Sequence, residues 1–147
     1  MKRYTKIPSV GAVMTSFPFF VNSDDTLPKI ERLMDEHNIR HVPVLKKRRV
    51  VGIVSERDLH HFIKRSAPVE EKAKIQAGDV MVTNPYIVQF GAPLNEVVAE
   101  MAKRRVGSAI VLRRGNLAGI LSGIDVCRIL AEYLEWRFCS GGGNDAA

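Results

Sequence analysis

The chain has 147 residues, 46% of them hydrophobic and 26% charged, with a net charge of +6. That apolar content excludes a disordered chain, and the length suits one ordinary domain or two small halves sharing a core. No stretch reaches the roughly 18 uninterrupted apolar residues of a membrane helix, and Cys127 and Cys139 suggest neither a disulfide framework nor a CxxC metal clip.

The N-terminus, MKRYTKIPSVGAVM, is basic but lacks the apolar core and cleavage site of a secretory signal, so a cytoplasmic location is expected. A proline turn, MTSFP, then leads into a short strand, FFV. The first helix carries Leu27, Ile30 and Met34 on one face, with Thr26 as N-cap and Pro28 in the first turn. Strands HVPVL and VVGIV follow, joined by the basic turn Lys46 to Arg49, and a second helix begins near Glu56. Such charged turns keep strand edges from pairing with other chains. Residues 67–77 form a linker.

The order then recurs: MVTNP, the strand YIV, and a helix with Leu94, Val97, Val98 and Met101 at i, i+3, i+4, i+7. Strands SAIVL and LAGIL flank RRGN, and the last helix begins near Gly123. Val126, Ile129, Leu130 and Tyr133 form its stripe, Trp136 and Phe138 extend it, and residues 139–147 read as a disordered tail.

A shift of 67 aligns residues 11–62 with 78–129 without a gap, with 13 identities that include Gly52/Gly119, Ser55/Ser122 and Asp58/Asp125. Two copies imply pseudo-twofold symmetry, each burying the face the other cannot. In the repeated GIVSERD and GILSGID, Ser-x-x-Asp before a helix fits a capping box, although Asp replaces the longer Glu or Gln usual at its third position. The same geometry fits a ligand grip. The helix start offers N–H groups to an anion, the serine a donor, and the aspartate two acceptors for a ribose diol. A glycine inside each preceding strand marks close approach by another group, and Gly123 leaves room at the second helix start. Both readings can hold together.

The doubled MTxxP entry, RHVPV and GIVSERD resemble a tandem pair of cystathionine-β-synthase (CBS) domains, a Bateman module, over residues 7–135. The resemblance implies an α/β (α+β) fold of two pseudo-twofold related β-α-β-β-α units packed through their sheets, at 7–66 and 78–138. It implies up to two clefts for AMP, ADP, ATP, S-adenosylmethionine or NAD. Carried over by motif, Asp58 and Asp125 hold ribose hydroxyls, and Ser55 and Ser122 contact phosphate or ribose. Thr15 and Thr83 supply polar contacts, their registers differing by one. Phe20 and Ile87 line the adenine slot, Ile39 and Val106 cover the base, and Arg40 and Gly107 face the phosphates. Pro43 belongs to the pocket floor, where the second copy has Ile110. Arg40 can make a bidentate phosphate contact, and Arg57 adds charge beside Asp58, so the Asp58 cleft ranks first for phosphorylated ligands.

No nucleophile–base pair, Walker loop or HExxH pattern is visible, so neither catalytic nor metal-binding residues are assigned. The expectation is a non-catalytic adenine-nucleotide sensor that needs no cofactor, forms a homodimer, acts on a protein partner and binds no membrane. The alternative is a dimerisation or nucleic-acid-binding module with empty clefts, favoured by the surplus of Lys and Arg.

Overall fold

A computed structural model of the chain describes residues 5–65 and 69–139. Residues 140–147 of the tail expected at 139–147, and residues 66–68 of the boundary between units, lie outside the described residues, whereas Cys139 ends the last helical turn.

The first unit contains β2 (Val21–Asn22), α2 (Leu27–His37), β3 (His41–Lys46), β4 (Arg49–Ser55) and α3 (Glu56–Arg65). The second repeats it as β5 (Ile87–Gln89), α6 (Leu94–Arg104), β6 (Ser108–Arg113), β7 (Asn116–Ser122) and α7 (Gly123–Leu134). Short helices precede each unit: α1 (Val10–Val13) before the first, and α4 (Val69–Lys72) and α5 (Ala77–Val80) before the second. The remaining strand, β1 (Thr15–Ser16), follows α1.

The helix faces read from periodicity are the buried ones: Leu27, Ile30 and Met34 on α2, and Leu94, Val97 and Met101 on α6. Both helices end in a left-handed residue, Asn38 and Arg105. Thr26 stands at the N-cap of α2, but its side chain makes no capping bond; the carbonyl of Ile75 accepts from the Leu27 N–H instead, at 2.9 Å. Pro28 has no N–H to cap, the Lys29 N–H donates to the Thr26 carbonyl at 3.1 Å, and a backbone arriving from elsewhere in the chain satisfies the first helical N–H.

That crossing is general. The carbonyls of Phe90 and Ala92 in the second unit accept from the α1 N–H groups of Gly11 and Val10, and those of Ser23 and Asp25 in the first accept from Gly78 and Ala77 of α5. Val10 and Val13 are buried in the core formed by α6, β6 and β7, and Ala77 and Val80 in the core formed by α2, β3 and β4. Each copy's leading segment is therefore exchanged onto the other copy. β1 continues the exchange by pairing antiparallel with β7, Thr15 opposite Ile120, which gives sheet order β1-β7-β6-β5. The first sheet is ordered β2-β3-β4, and Val82 bridges Ile53 at the edge equivalent to β1.

Side chains alternate across each sheet. Val42, Val44 and Val54 face the helices of the first unit, and Ala109, Val111 and Leu121 those of the second. The intervening Pro43 and Ile110 are also fully buried, and alternation turns them toward the seam between the sheets, where β4 meets β7. The α/β architecture of two sheet-packed β-α-β-β-α units is thus as expected.

At the C-terminal end α7 buries none of its residues completely. Val126 and Ile129 pack on the second core, while Leu130 and Tyr133 are more than half exposed. The helix widens into a π-turn over Glu135–Cys139. Among the described residues no helix is long and apolar enough to cross a membrane.

Candidate functional site

The repeated Ser-x-x-Asp motifs stand where β4 runs into α3 and where β7 runs into α7. In the first, Asp58 Oδ2 accepts from the Ser55 N–H at 3.0 Å and from its hydroxyl at 2.7 Å, and Ser55 Oγ accepts from the Asp58 N–H at 3.1 Å. In the second, the matching distances are 2.9, 3.0 and 3.2 Å between Ser122 and Asp125. The strand sets the serine's extended backbone and the helix brings the third residue back over it, so Asp is long enough to close the box. The capping reading is therefore realised in both copies.

Capping engages only part of each bracket. The first helical N–H groups, of Glu56 and Gly123, donate to the carbonyls of Arg40 and Gly107 at 2.8 and 2.9 Å. Among the described residues, the N–H of Arg57 and the Oδ1 of Asp58 have no hydrogen-bond partner. That combination presents one donor and one carboxylate oxygen on a helix N-terminus, which suits a group carrying both an anion and hydroxyls. In the second bracket, Asp125 Oδ1 has company: Thr15 Oγ1 donates from 3.4 Å and an Arg128 nitrogen stands at 3.6 Å.

The leader exchange decides which entry residue meets which bracket. Thr15, from the first copy, reaches Asp125 of the second because β1 lies on β7. Its counterpart in register is Val82, opposite Ile53, so Val82 and not Thr83 holds the equivalent place beside Asp58. The one-residue mismatch between the two threonines is thereby resolved: Thr83 stands exposed one position further on.

Arg40 is exposed, and its guanidinium pairs with Glu56 at 3.5 Å. Arg57 is exposed, Phe20 and Ile87 are 48% and 37% exposed, Ile39 is half-buried, and Val106 and Gly107 are exposed at the turn before β6. Pro43 lies sealed between the sheets, so it can shape the seam but has no surface with which to touch a ligand.

His41 is not among the residues the sequence singles out. It pairs with Ser55 across the β3–β4 ladder and lies against Gly107 of the other unit. Burial lowers its pKa below 6.5; the Asp58 carboxylate opposes that and the Arg40 guanidinium adds to it. The signal was available in the repeat itself, where the bulky His41 of the first copy has the small Ser108 as its counterpart.

The glycines in β4 and β7 do mark a close approach, but by the chain itself. A β-carbon on Gly52 would lie 2.7 Å from the Val82 carbonyl oxygen, and one on Gly119 2.7 Å from that of Thr15. Gly123 is different: a β-carbon there would meet nothing nearer than the Gly107 carbonyl oxygen at 3.8 Å.

A CBS domain family model matches the chain twice, over residues 10–65 and 77–132. The chain belongs to the CBS domain family. It is a tandem CBS pair, similar along 78% of its length to inosine-5'-monophosphate dehydrogenase of Staphylococcus epidermidis, with 29% identity over 119 residues. It spans only 23% of that enzyme's length. Among solved structures, a Vibrio cholerae protein named for acetoin utilization (AcuB) is 29% identical with a TM-score of 0.79, over 90% of this chain and 96% of that one. The CBS domain of the bacterial CNNM/CorC family Mg2+ transporter, solved in complex with ATP, is 25% identical with a TM-score of 0.73, over 84% of this chain and 87% of that one.

Proposed function

We propose that this CBS pair is a non-catalytic regulatory module that binds an adenine nucleotide or nucleoside between its units and passes a conformational change to a protein partner in the cytoplasm. The observation that carries the reading is the Asp58 bracket. A carboxylate already fixed by its serine keeps an oxygen without an internal partner among the described residues, beside a helix start and at the seam between two units. Ribose hydroxyls satisfy that oxygen, and a phosphate suits the first-turn N–H. The ATP complex of the similar CNNM/CorC domain supports the same ligand class. AMP, ADP, ATP, S-adenosylmethionine and NAD all present the required diol. The ligand acts by binding the closed arrangement of the units more tightly than the open one.

The module pairs with a second copy through the outer face of its C-terminal helix. An apolar groove of about 630 Å³ between α6, α7 and residues 5–8 is lined by Ile7, Val98, Val126, Leu130, Tyr133 and Trp136. None of these belongs to either bracket, so pairing leaves the clefts open.

A thermal-shift panel of AMP, ADP, ATP, S-adenosylmethionine, NAD and 2'-deoxy-AMP tests the ligand. At a hundredfold over its dissociation constant, the right one stabilises by about 2.7 kcal/mol. Asp58→Ala removes most of that gain, and the deoxy analogue gives little of it. A shift that survives loss of both Asp58 and Asp125 refutes the site. The second reading, a nucleic-acid-binding module, rests on the exposed basic turns at Lys47–Arg48 and Arg113–Arg114. It predicts instead affinity for RNA or DNA that falls steeply with salt.

A further inference from the structure

The two brackets are alike in sequence and unlike in what surrounds them. Asp125 sits with its side chain only 14% exposed, and its outer oxygen faces Arg128 at 3.6 Å one turn along α7. The other end of the same guanidinium lies 3.4 Å from Glu132, so Arg128 is held between two carboxylates. Thr15 donates toward both oxygens of Asp125, 3.4 Å from each. In the first copy each of these parts is exchanged. Val82 replaces Thr15, His61 replaces Arg128, and position 132 corresponds to Arg65. Among the described residues, nothing donates to the outer oxygen of Asp58.

We infer that Arg128, assisted by Thr15, is an internal stand-in for ligand on Asp125, a latch that makes the second cleft the weaker of the two for a ribose diol. The inference rests on the nucleotide reading proposed above. A diol in the second cleft must displace the guanidinium and turn Thr15 aside before both carboxylate oxygens accept from it. In the first cleft the same diol meets an oxygen to which, among the described residues, no group donates. Arg128 is thus a specificity-determining residue: it ranks two nearly identical brackets so that they fill at different concentrations.

The test is calorimetric titration of AMP and ATP into the full chain and into Arg128→Gln, Thr15→Val, Asp58→Asn and Asp125→Asn. Arg128 is half exposed, so its replacement leaves the fold intact. The expected wild-type curve has a tighter step removed by Asp58→Asn and a weaker step removed by Asp125→Asn. Arg128→Gln tightens the weaker step alone, by about fivefold, the range open to a partly exposed ion pair; Thr15→Val adds a smaller gain in the same step. If only the Asp58 step is measurable in the wild type, Arg128→Gln brings the second into range.

Two results overturn the latch while leaving the nucleotide reading standing. One is an Asp125 step that Arg128→Gln does not move. The other is a step that it weakens, which makes Arg128 a ligand contact. Silence with every nucleotide in every variant overturns both readings.

Discussion

The imidazole of His41 lies against the bare α-carbon of Gly107, so close that a β-carbon there would stand 2.9 Å from Nε2 and 3.2 Å from Cε1. His41 opens the first strand of one hairpin and Gly107 stands just before the first strand of the other, in adjacent positions of the repeat: His41 matches Ser108, and Gly107 matches Arg40. The first unit projects a ring where the second has removed a side chain. Gly107→Ala should therefore destabilise the protein by about 1–2 kcal/mol through overpacking of the seam. In a His41→Ser background the same change should be neutral or slightly stabilising, since alanine lowers the entropy of the unfolded chain. Urea denaturation of the four proteins of this cycle gives the coupling, expected at about 1 kcal/mol or more. Additive effects would mean that ring and glycine do not touch in solution.

The same ring makes stability depend on pH in a defined window. Burial disfavours the His41 imidazolium, and Arg40 adds to this, while the Asp58 carboxylate only partly compensates. The folded pKa thus lies below the unfolded value of 6.5. Above 6.5 both states are neutral and the full stability is present. As pH falls below 6.5, the unfolded chain takes up a proton that the folded protein resists. Stability then declines with a slope of at most about 1.4 kcal/mol per pH unit, until the folded pKa is passed. The carboxylates act lower. Burial raises the pKa of Asp25, but the Lys29 and Asn22 hydrogen bonds and the Lys29 charge outweigh it, so its contribution is lost only as pH falls below 3.8. Chemical denaturation between pH 7.5 and 5 should show the decline in the wild type and a flatter profile in His41→Ser. Equal slopes would remove His41 as the cause.

Much of this arrangement is legible in the sequence, for reasons that differ from residue to residue. Ser55, Asp58 and their counterparts stand out because they recur at one spacing, and the faces of α2 and α6 because burial imposes the helical period on Leu27, Ile30 and Met34. The leader exchange is invisible because α1 and α5 are four residues long, too short for any period. Their partners at residues 90–92 and 23–25 are remote in the chain. Everything that depends on the exchange is hidden with it. This includes Thr15 meeting Asp125 and not its own copy's Asp58, Val82 displacing Thr83 from the equivalent place, and Ile75 satisfying the Leu27 N–H at the start of α2. Gly52 and Gly119 announced a close approach correctly, but sequence alone does not say whether a ligand or the chain is approaching.

Gly52 carries the third prediction. At Gly52 an added methyl group meets the Met81 sulfur at 2.6 Å as well as the Val82 carbonyl. The methionine can move aside, but the carbonyl cannot. It accepts from the Ile53 N–H at 3.1 Å while the Val82 N–H donates back to the Ile53 carbonyl at 2.8 Å. Gly52→Ala should therefore break this bridge and cost about 2–3 kcal/mol. Hydrogen exchange should quicken at Val82 and Ile53 but not at the β1–β7 pair, which sits on the other sheet. Gly123→Ala is the control. With only a contact at 3.8 Å to make, it should leave stability unchanged or raise it by about 0.5 kcal/mol, because alanine is the better helix former. Equal losses at both sites would show that glycine matters for backbone freedom and not for the space it leaves.

The last prediction concerns the two hairpin turns, which solve one geometric problem with different residues. The β3–β4 turn places Lys47 at φ 49° and Arg48 at φ 64°; the β6–β7 turn places Arg114 at φ 53° and Gly115 at φ 78°. A two-residue hairpin loop with positive φ at both positions matches the strand twist, and its second position favours glycine. The first unit has arginine there, which costs about 1 kcal/mol for crowding between the β-carbon and the backbone. It also sets Lys46 directly opposite Arg49, a like-charge pair across the ladder. Arg48→Gly should then stabilise the protein by about 1 kcal/mol, raising the melting temperature by about 3 °C. Arg48 also adds its own charge beside that pair, and Arg48→Ala separates this repulsion from the backbone crowding. It removes the charge but keeps the β-carbon, so it should recover only the part of the gain that disappears in high salt. If alanine matches glycine at every salt concentration, backbone strain has no share in the effect, and the arginine is unfavourable through its charge or side chain alone.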